Sequence, residues 1–138
     1  MTILSLLGAA SLFTEIAVKM DNIKHHCLDG GSKILQEEAK RELGQYQPGW
    51  PALKPETIAR KATGDSPLLE TGELRDSIER EVQPDAAYVG SNNKKAVWHE
   101  LGTSRIPPRP FLATAAAAKT AEIGEMIGGK YHAVLVKG

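Results

Sequence analysis

The first third of the chain carries apolar side chains at alternating steps of three and four residues. This row contains Phe13, Ile16, Met20, Ile23, Cys27 and Ile34. Such spacing predicts an amphipathic helix with one buried face. A second row at steps of four, formed by Leu35, Ala39 and Leu43, extends the predicted helix to about residue 43. The glycine pair Gly30-Gly31 interrupts the pattern and predicts a kink or a break in the helix.

The middle of the chain has shorter periodic stretches separated by turn residues. The segment GQYQPGWPALKP (44–55) holds three prolines and two glycines, which predicts an irregular crossing, and Pro55 is placed to begin a short helix over ETIARKA. We expect a single turn at Thr71–Arg75 and then a β-hairpin, whose strands are residues 76–82 and AAYVGS, joined by the turn-forming QPD. The alternative is a helix over Glu73–Glu81, because apolar residues there also repeat at steps of four.

The last third combines a short helix, a proline-rich stretch and a long helix. KKAVWHELG predicts a helix closed by Gly102. The prolines of TSRIPPRP then exclude regular structure and favour extended backbone. Pro110 is placed to open a helix that ends at Gly128-Gly129, and KYHAVLVK predicts a final strand.

Together these elements predict an α+β fold, in which long N-terminal and C-terminal helices pack on a small antiparallel sheet and a proline-rich arm projects from it. The chain is the size of one ordinary domain, so we assign residues 1–138 to a single domain. Its parts are the N-terminal helical region (1–43), a middle region with the irregular segment, hairpin, short helix and arm (44–110), and the C-terminal helix with the final strand (111–138).

Composition narrows the classes of protein that fit. Hydrophobic residues make up 41% and charged residues 25% of the chain, as in folded soluble proteins. Lys+Arg and Asp+Glu both number 17, so the net charge is zero. A zero net charge disfavours nucleic-acid binders, which usually carry a basic excess, and it permits close contact between identical copies. We therefore expect no sequence-specific nucleic-acid partner.

The cysteine count and the N-terminal stretch indicate the compartment. Cys27 is the single cysteine, so an internal disulfide is excluded and a reducing environment is favoured. MTILSLLGAASLF is too short to span a bilayer and lacks the basic residues that precede a signal-peptide core. We therefore expect a cytosolic chain without a membrane partner, whose first helix is buried.

His99-Glu100 is the strongest candidate for a catalytic metal site. The second histidine of a metallopeptidase helix is missing, because the next helical turn has Thr103, and the other histidines show no ligand spacing. In HHC (25–27), three consecutive side chains of a helix point to different sides and converge poorly on a metal. No catalytic triad spacing or glycine-rich phosphate loop occurs in the sequence. We therefore predict no enzyme activity, and no catalytic, cofactor or metal site.

The stretch IPPRPFL is the strongest candidate for an interaction surface. Arg109, held between two prolines, would offer a bidentate donor to a carboxylate of a neighbour, and Phe111 would insert as an aromatic anchor. In the alternative, the segment packs on its own sheet, with Arg109 paired to Glu100 and Phe111 in the core. PPRP alone also fits a ligand of a proline-reading domain. The candidate interface residues are Arg105, Ile106, Pro107, Pro108, Arg109, Pro110 and Phe111.

Taken in order, six stretches resemble a known family. They are a tryptophan followed by LKPETIARK, PLLETGELRDSI, YVGS, VWHELGT, IPPRPFL and an alanine-rich helix, between about Trp50 and Ile127. In order and spacing they resemble the virion-morphogenesis and tail-completion proteins of tailed bacteriophages, small proteins of the neck between head and tail. The resemblance implies structural roles for Trp50, Leu68, Leu69, Thr71, Gly72, Leu74, Gly90, Glu100, Gly102 and Thr103.

The resemblance also implies a function. The protein would be a structural component of the virion neck, assembled in the host cytoplasm, that forms a homo-oligomeric ring, completes the tail and joins it to the head. Its partners would be copies of itself, the portal, adaptor or stopper on the head side, and the tail tube or tail terminator on the tail side. A metal-dependent hydrolase or an assembly factor that shares the motifs is the alternative.

Overall fold

The computed structural model describes the backbone of residues 6–137 and the side chains of residues 19–133. Two long helices and a two-stranded antiparallel sheet dominate this range, so the fold is α+β as predicted. In chain order, the elements are α1 (Leu6–Glu42), α2 (Pro55–Arg60), α3 (Glu73–Asp76), β1 (Ile78–Val82), β2 (Ala87–Ser91), α4 (Lys94–Leu101) and α5 (Phe111–Lys137).

The two long helices, α1 and α5, pack against each other where α1 carries Gly30 and Gly31. A Cβ atom on Gly30 would lie 3.2 Å from the Sδ of Met126, and one on Gly31 would lie 3.3 Å from the Cγ2 of Ile123. The glycine pair therefore lets α5 approach the backbone of α1 closely. The predicted break at this pair is wrong, because α1 is helical throughout its length and packing offsets the weak helix propensity of glycine.

The C-terminal region is helical to Lys137, so the predicted helix end at Gly128-Gly129 and the predicted strand over KYHAVLVK are both wrong. Each glycine inside a helix costs only about 1 kcal/mol. A strand, in contrast, leaves its backbone groups unpaired unless another strand lies beside it. The continued helix satisfies those groups within α5 itself.

The predicted β-hairpin is confirmed, and it packs on α1. Ile78 pairs with Ser91 and Val82 with Ala87, and Gln83 N donates to Ala86 O at 2.7 Å to close the turn. The first strand alternates between exposed positions and positions that are buried or partly buried, so one face of the hairpin lies against α1 and the other face is open. The alternative prediction of a helix over Glu73–Glu81 is wrong, because the helix there is limited to the single turn α3.

Polar contacts fasten the hairpin to α1. Arg80 Nη1 donates to Asp29 Oδ1 at 2.7 Å, and this cation lowers the pKa of Asp29. Gln36 Nε2 donates to Ile78 O at 2.9 Å, and Lys24 forms an ion pair with Asp85 in the hairpin turn. Hydrogen bonds that join distant segments fix the position of the sheet along the helix.

The core lies between the C-terminal half of α1, the hairpin, α4 and the first turns of α5. Its buried members are Ala39, Leu43, Trp50, Leu74, Ile78, Ala96, Phe111 and Ala115. Of the predicted apolar row on α1, Cys27 is buried, whereas the side chains of Phe13 and Ile16 lie outside the described residues. The core is therefore assembled from almost every element of the chain.

Glu42, the last residue of α1, places a carboxyl group inside this core. Its exposed fraction is 0%, and neither carboxyl oxygen has a hydrogen-bond partner among the described residues. Burial, together with the nearby carboxylate of Glu38, raises the pKa of Glu42 to about 7, and Arg41 only partly opposes this. The protonated form is favoured because an ionised carboxylate would lose its hydration there.

We expect Glu42→Gln to flatten the pH dependence of stability. Below pH 4.5 the wild-type carboxyl is protonated in both the folded and the unfolded state, and above pH 7 it is ionised in both. The wild-type free energy of unfolding should therefore fall between these values, by roughly 3 kcal/mol relative to the variant. Urea unfolding of both proteins across this pH range measures the difference. A difference that stays constant with pH would show that Glu42 titrates normally.

We expect Gly31→Leu to destabilise the protein, because the new side chain must displace Ile123 from the face of α1. Overpacking of this kind typically costs about 1–3 kcal/mol. Gly124→Ala is the matched control, since a Cβ atom there meets none of the described residues within 4 Å and alanine is the better helix former by about 1 kcal/mol. Thermal unfolding should move in opposite directions for the two variants. Equal melting temperatures would contradict close packing at Gly31.

Candidate assembly surface

The short helix α4 has a defined start and a defined end. The side chain of Asn93 accepts a hydrogen bond from Lys95 N at 3.0 Å, which caps the first turn. Gly102 follows the last residue with a φ of 76°, and its N–H donates to Trp98 O at 2.8 Å. The predicted helix closed by Gly102 is confirmed.

The chain turns back on α4 immediately after Gly102. A Cβ atom on Gly102 would lie 2.9 Å from Pro108 Cδ and 3.1 Å from Ile106 O, so the return requires glycine. Thr103 forms the turn: its N–H donates to Ile106 O at 2.8 Å, and its hydroxyl accepts from Ile106 N at 3.0 Å. Arg109 N then donates to the carbonyl of His99 at 2.7 Å, which holds the proline-rich stretch against α4.

Glu100 joins α4 to the start of α5. Its two carboxylate oxygens accept hydrogen bonds from Leu112 N and Ala113 N, both at 2.9 Å. These N–H groups belong to the first turn of α5 and have no partner within the helix. The negative charge also interacts favourably with the N-terminal end of the helix. Glu100 is thus a helix cap supplied from another element.

Arg109 fastens the proline-rich stretch to the crossing segment near Trp50. Its guanidinium donates to Pro51 O through Nε at 3.0 Å and Nη2 at 2.8 Å, and to Ala52 O at 3.3 Å. The side chain is 5% exposed, and burial lowers its pKa. The sequence-based expectation of a carboxylate partner is wrong, because main-chain carbonyls of the same chain accept from the Nε–Nη2 edge of the guanidinium. The alternative pairing with Glu100 is also wrong.

Phe111 lies in the core of its own chain with an exposed fraction of 0%. An anchor that inserts into a neighbour must be accessible before assembly, so the expectation for Phe111 is wrong, and its place in the core follows the alternative interpretation. Within the same stretch, Arg105, Pro107 and Pro108 are exposed, and Ile106 and Pro110 are partly buried. The surface part of the proline-rich stretch is therefore its first half.

Most of the other residues singled out by the sequence act in the fold. Trp50 and Leu74 are core residues, and Leu68 packs at the core edge with a φ of 62°. Gly72 precedes α3 with a φ of 85°, a backbone conformation that favours glycine. The remaining residues at the same turn have local roles: Leu69 packs on Gly44, and the Thr71 hydroxyl accepts from Glu73 N at 3.3 Å.

Gly90 differs from the other glycines of the predicted set. Among the described residues, a Cβ atom there would meet no atom within 4 Å, and the φ of Gly90 lies outside the range that favours glycine. The chain's own packing therefore gives no reason for glycine at this position of β2.

A cleft of about 780 Å³ opens between the crossing segment, α2, the loop before α3, and α4 with the proline-rich stretch. Six cationic side chains line this cleft, against two carboxylates, from Glu70 and Glu73. Leu53 and Ile106 add apolar walls. The cationic side chains lining the cleft are those of Lys54, Arg60, Lys61, Lys95, Arg105 and Arg109. This grouping is hidden in the sequence, because the six residues come from separate stretches of a chain with zero net charge.

His99 lies at the inner wall of this cleft. Burial lowers its pKa, and the nearby cations Arg109, Lys61 and Lys95 lower it further. The buried Nδ1 has no hydrogen-bond partner among the described residues. The imidazole ring of His99 is therefore neutral, and the positive charge of the cleft comes from its lysines and arginines.

The outer side of α4 exposes large apolar side chains. Leu101 is 74% exposed and Trp98 is 43% exposed, and Val97 lies beside them on the same side. Steps of three and four along α4 bring these residues together. The spacing of Val97 and Leu101 on α4 is the sequence signal that would have identified this exposed row.

A model of the phage virion morphogenesis family matches residues 8–129 of the chain. The chain belongs to the phage virion morphogenesis family. No curated protein and no solved structure matches it. The matched range begins inside α1, so the family's pattern extends further than the resemblance between Trp50 and Ile127.

Membership of the phage virion morphogenesis family assigns the protein a role in virion assembly. The matched range includes the whole of the hairpin, the cleft and α4. Across the described side chains, no three His, Cys, Asp or Glu residues come close enough together to hold a metal ion. No helix between residues 6 and 137 is long and apolar enough to cross a membrane.

For this member of the family, we expect Phe111→Ala to destabilise the isolated chain by roughly 3–5 kcal/mol, the range for emptying a buried aromatic site. Arg105→Ala is the control within the same stretch, because Arg105 is exposed and should change stability by less than about 0.5 kcal/mol. Urea unfolding of the three proteins provides the comparison. A Phe111→Ala protein that unfolds like the wild type would contradict the place of Phe111 in the core and would favour the role of an intersubunit anchor.

Proposed function

We propose that the protein is a structural, non-catalytic component of the phage neck, which forms an oligomeric ring, completes the tail and joins it to the head. The ring would contact the portal, adaptor or stopper on one side and the tail tube or tail terminator on the other. Family membership supports the general role, and the surface built around α4 supports the specific one.

The observation that carries this proposal is the exposed apolar row on α4. Large apolar side chains grouped on a protein surface mark sites that a partner covers, and tryptophan is enriched among the residues that contribute most to binding. Trp98 and Leu101 are exposed on the same helix, α4, that contributes Lys95 and His99 to the lining of the cationic cleft. An assembly protein needs such a surface, because the contacts it makes must persist in the particle.

The contacts that hold both ends of α4 in place also suit an assembly role. Asn93 caps one end of the helix, and Gly102 with the returning proline-rich stretch fixes the other. Glu100 and Arg109 tie that stretch to α5 and to the crossing segment. A surface that is already ordered loses little conformational entropy on binding, which favours tight contacts.

Deletion of the gene from its phage tests the role directly. We expect unjoined heads and tails by electron microscopy, and restoration of complete particles when the wild-type protein is supplied. Mass spectrometry of purified particles should find the protein at low copy beside the portal and tail proteins. Complete particles without the gene would contradict the neck role, and absence from mature particles would reduce the protein to an assembly factor.

We expect Leu101→Glu to abolish complementation of the deletion phage, because it places a charge within the apolar row. The isolated variant should keep the wild-type melting temperature, since Leu101 is largely exposed. Ala121→Glu is the matched control: it places the same charge at an exposed position of another helix. Equal particle yields for both variants would exclude the α4 surface as a contact site.

A further inference from the structure

We infer that the cationic cleft of one subunit receives the outer face of the β-hairpin of a second copy of this chain. The contact rests on the ring proposed above and specifies how its subunits meet. Because the cleft and the hairpin are different surfaces, the contact is head-to-tail, and it leaves one cleft and one hairpin free to continue the ring.

The outer face of the hairpin is acidic and carries an aromatic residue. Glu79, Glu81 and Tyr88 are exposed on it, and Glu81 lies directly opposite Tyr88 in the sheet. Neither glutamate forms an ion pair within the part of the chain that the structure describes. These carboxylates are therefore available to a cationic partner, and Tyr88 can act as an anchor between them.

Gly90 gives this face a second feature of a contact site. A depression of about 550 Å³ lies over the open hairpin face. Its lining contains Glu79, Glu81, Tyr88 and Gly90, together with Arg80, Ser91 and Asn92. Glycine within a strand often marks a place where another chain approaches closely. No contact within the described chain requires glycine there, so approach by another copy accounts for the missing side chain.

The cleft has the complementary chemistry. Lys54, Lys95 and Arg105 line it, and none of them forms an ion pair with a carboxylate among the described residues. Lys61 lies within it as well, and burial lowers the pKa of its ammonium group. A carboxylate from outside would offset part of the cost of grouping these cations.

Charge complementarity selects a second copy as the occupant. The 17 basic and 17 acidic residues of the chain cancel, yet the cleft gathers cations while the hairpin face carries unpaired carboxylates. Every copy therefore presents both halves of the contact. The apolar walls beside Leu53 and Ile106 suit the ring of Tyr88 better than a bare phosphate backbone, which favours protein over nucleic acid.

Charge reversal on each surface tests the contact in the full-length chain. The cleft variant carries Lys61→Glu and Lys95→Glu, and the hairpin variant carries Glu79→Lys and Glu81→Lys. We expect self-association, measured by light scattering after size exclusion, to weaken at least tenfold in each variant alone. An equimolar mixture should assemble again, because each reversed cleft then meets a reversed hairpin and each native cleft a native one.

Control substitutions separate this effect from a change in overall charge. Lys33→Glu and Glu125→Lys are exposed positions outside both surfaces, and neither should alter assembly. Gly90→Val should weaken assembly while leaving the fold intact, since valine suits a strand and the chain has room for it. Circular dichroism and melting curves confirm that every variant is folded.

Several outcomes would overturn the inference. A wild-type chain that stays monomeric, reversal variants that assemble normally, or a mixture that fails to assemble would each do so. If the cleft variant assembles normally but loses binding to DNA or to purified heads or tails, the cleft faces that other partner. Complementation distinguishes the two proposals, because a wild-type protein that still joins heads to tails preserves the neck role even when the hairpin contact fails.

Discussion

The tight turn at Gly102, where the chain folds back on α4, is the constraint on which the assembly surface around α4 depends. The positive φ of Gly102 and its missing side chain allow Pro108 to lie against the end of α4. This return brings Arg109 to the carbonyls near Trp50 and places Phe111 in the core as the first residue of α5. One backbone geometry thus connects the middle of the chain to the helix that packs on α1, and it forms one wall of the cleft.

Local signals in the sequence were sufficient for the elements that depend on local chemistry. Asn93 and Gly102 bound α4, Pro55 begins α2, and the turn residues QPD close the hairpin. The α+β class and the family resemblance followed from the same stretches. These predictions succeeded because caps and turns are determined by residues that lie close together in the sequence.

Features that depend on distant residues were missed or misplaced. Both glycine pairs interrupt the helical pattern, yet both long helices continue through them, since the packing of α5 on α1 outweighs local propensity at the first pair. The acceptors of Arg109 lie 58 and 57 positions earlier in the chain, and nothing in the sequence around Arg109 indicates a backbone partner. The sequence did not predict the cleft, because a net charge of zero does not indicate how the charges are distributed in space.

The Arg109 contact has a consequence for how this protein can vary. Its guanidinium binds carbonyl oxygens of the main chain at residues 51 and 52, and every amino acid supplies the same carbonyl. The side chains at those two positions can therefore differ among relatives without weakening this contact, provided that the backbone conformation is unchanged. The arginine itself has no such freedom, because lysine lacks the planar fork that reaches two carbonyls at once. Natural variation should accordingly be unequal on the two sides of one contact.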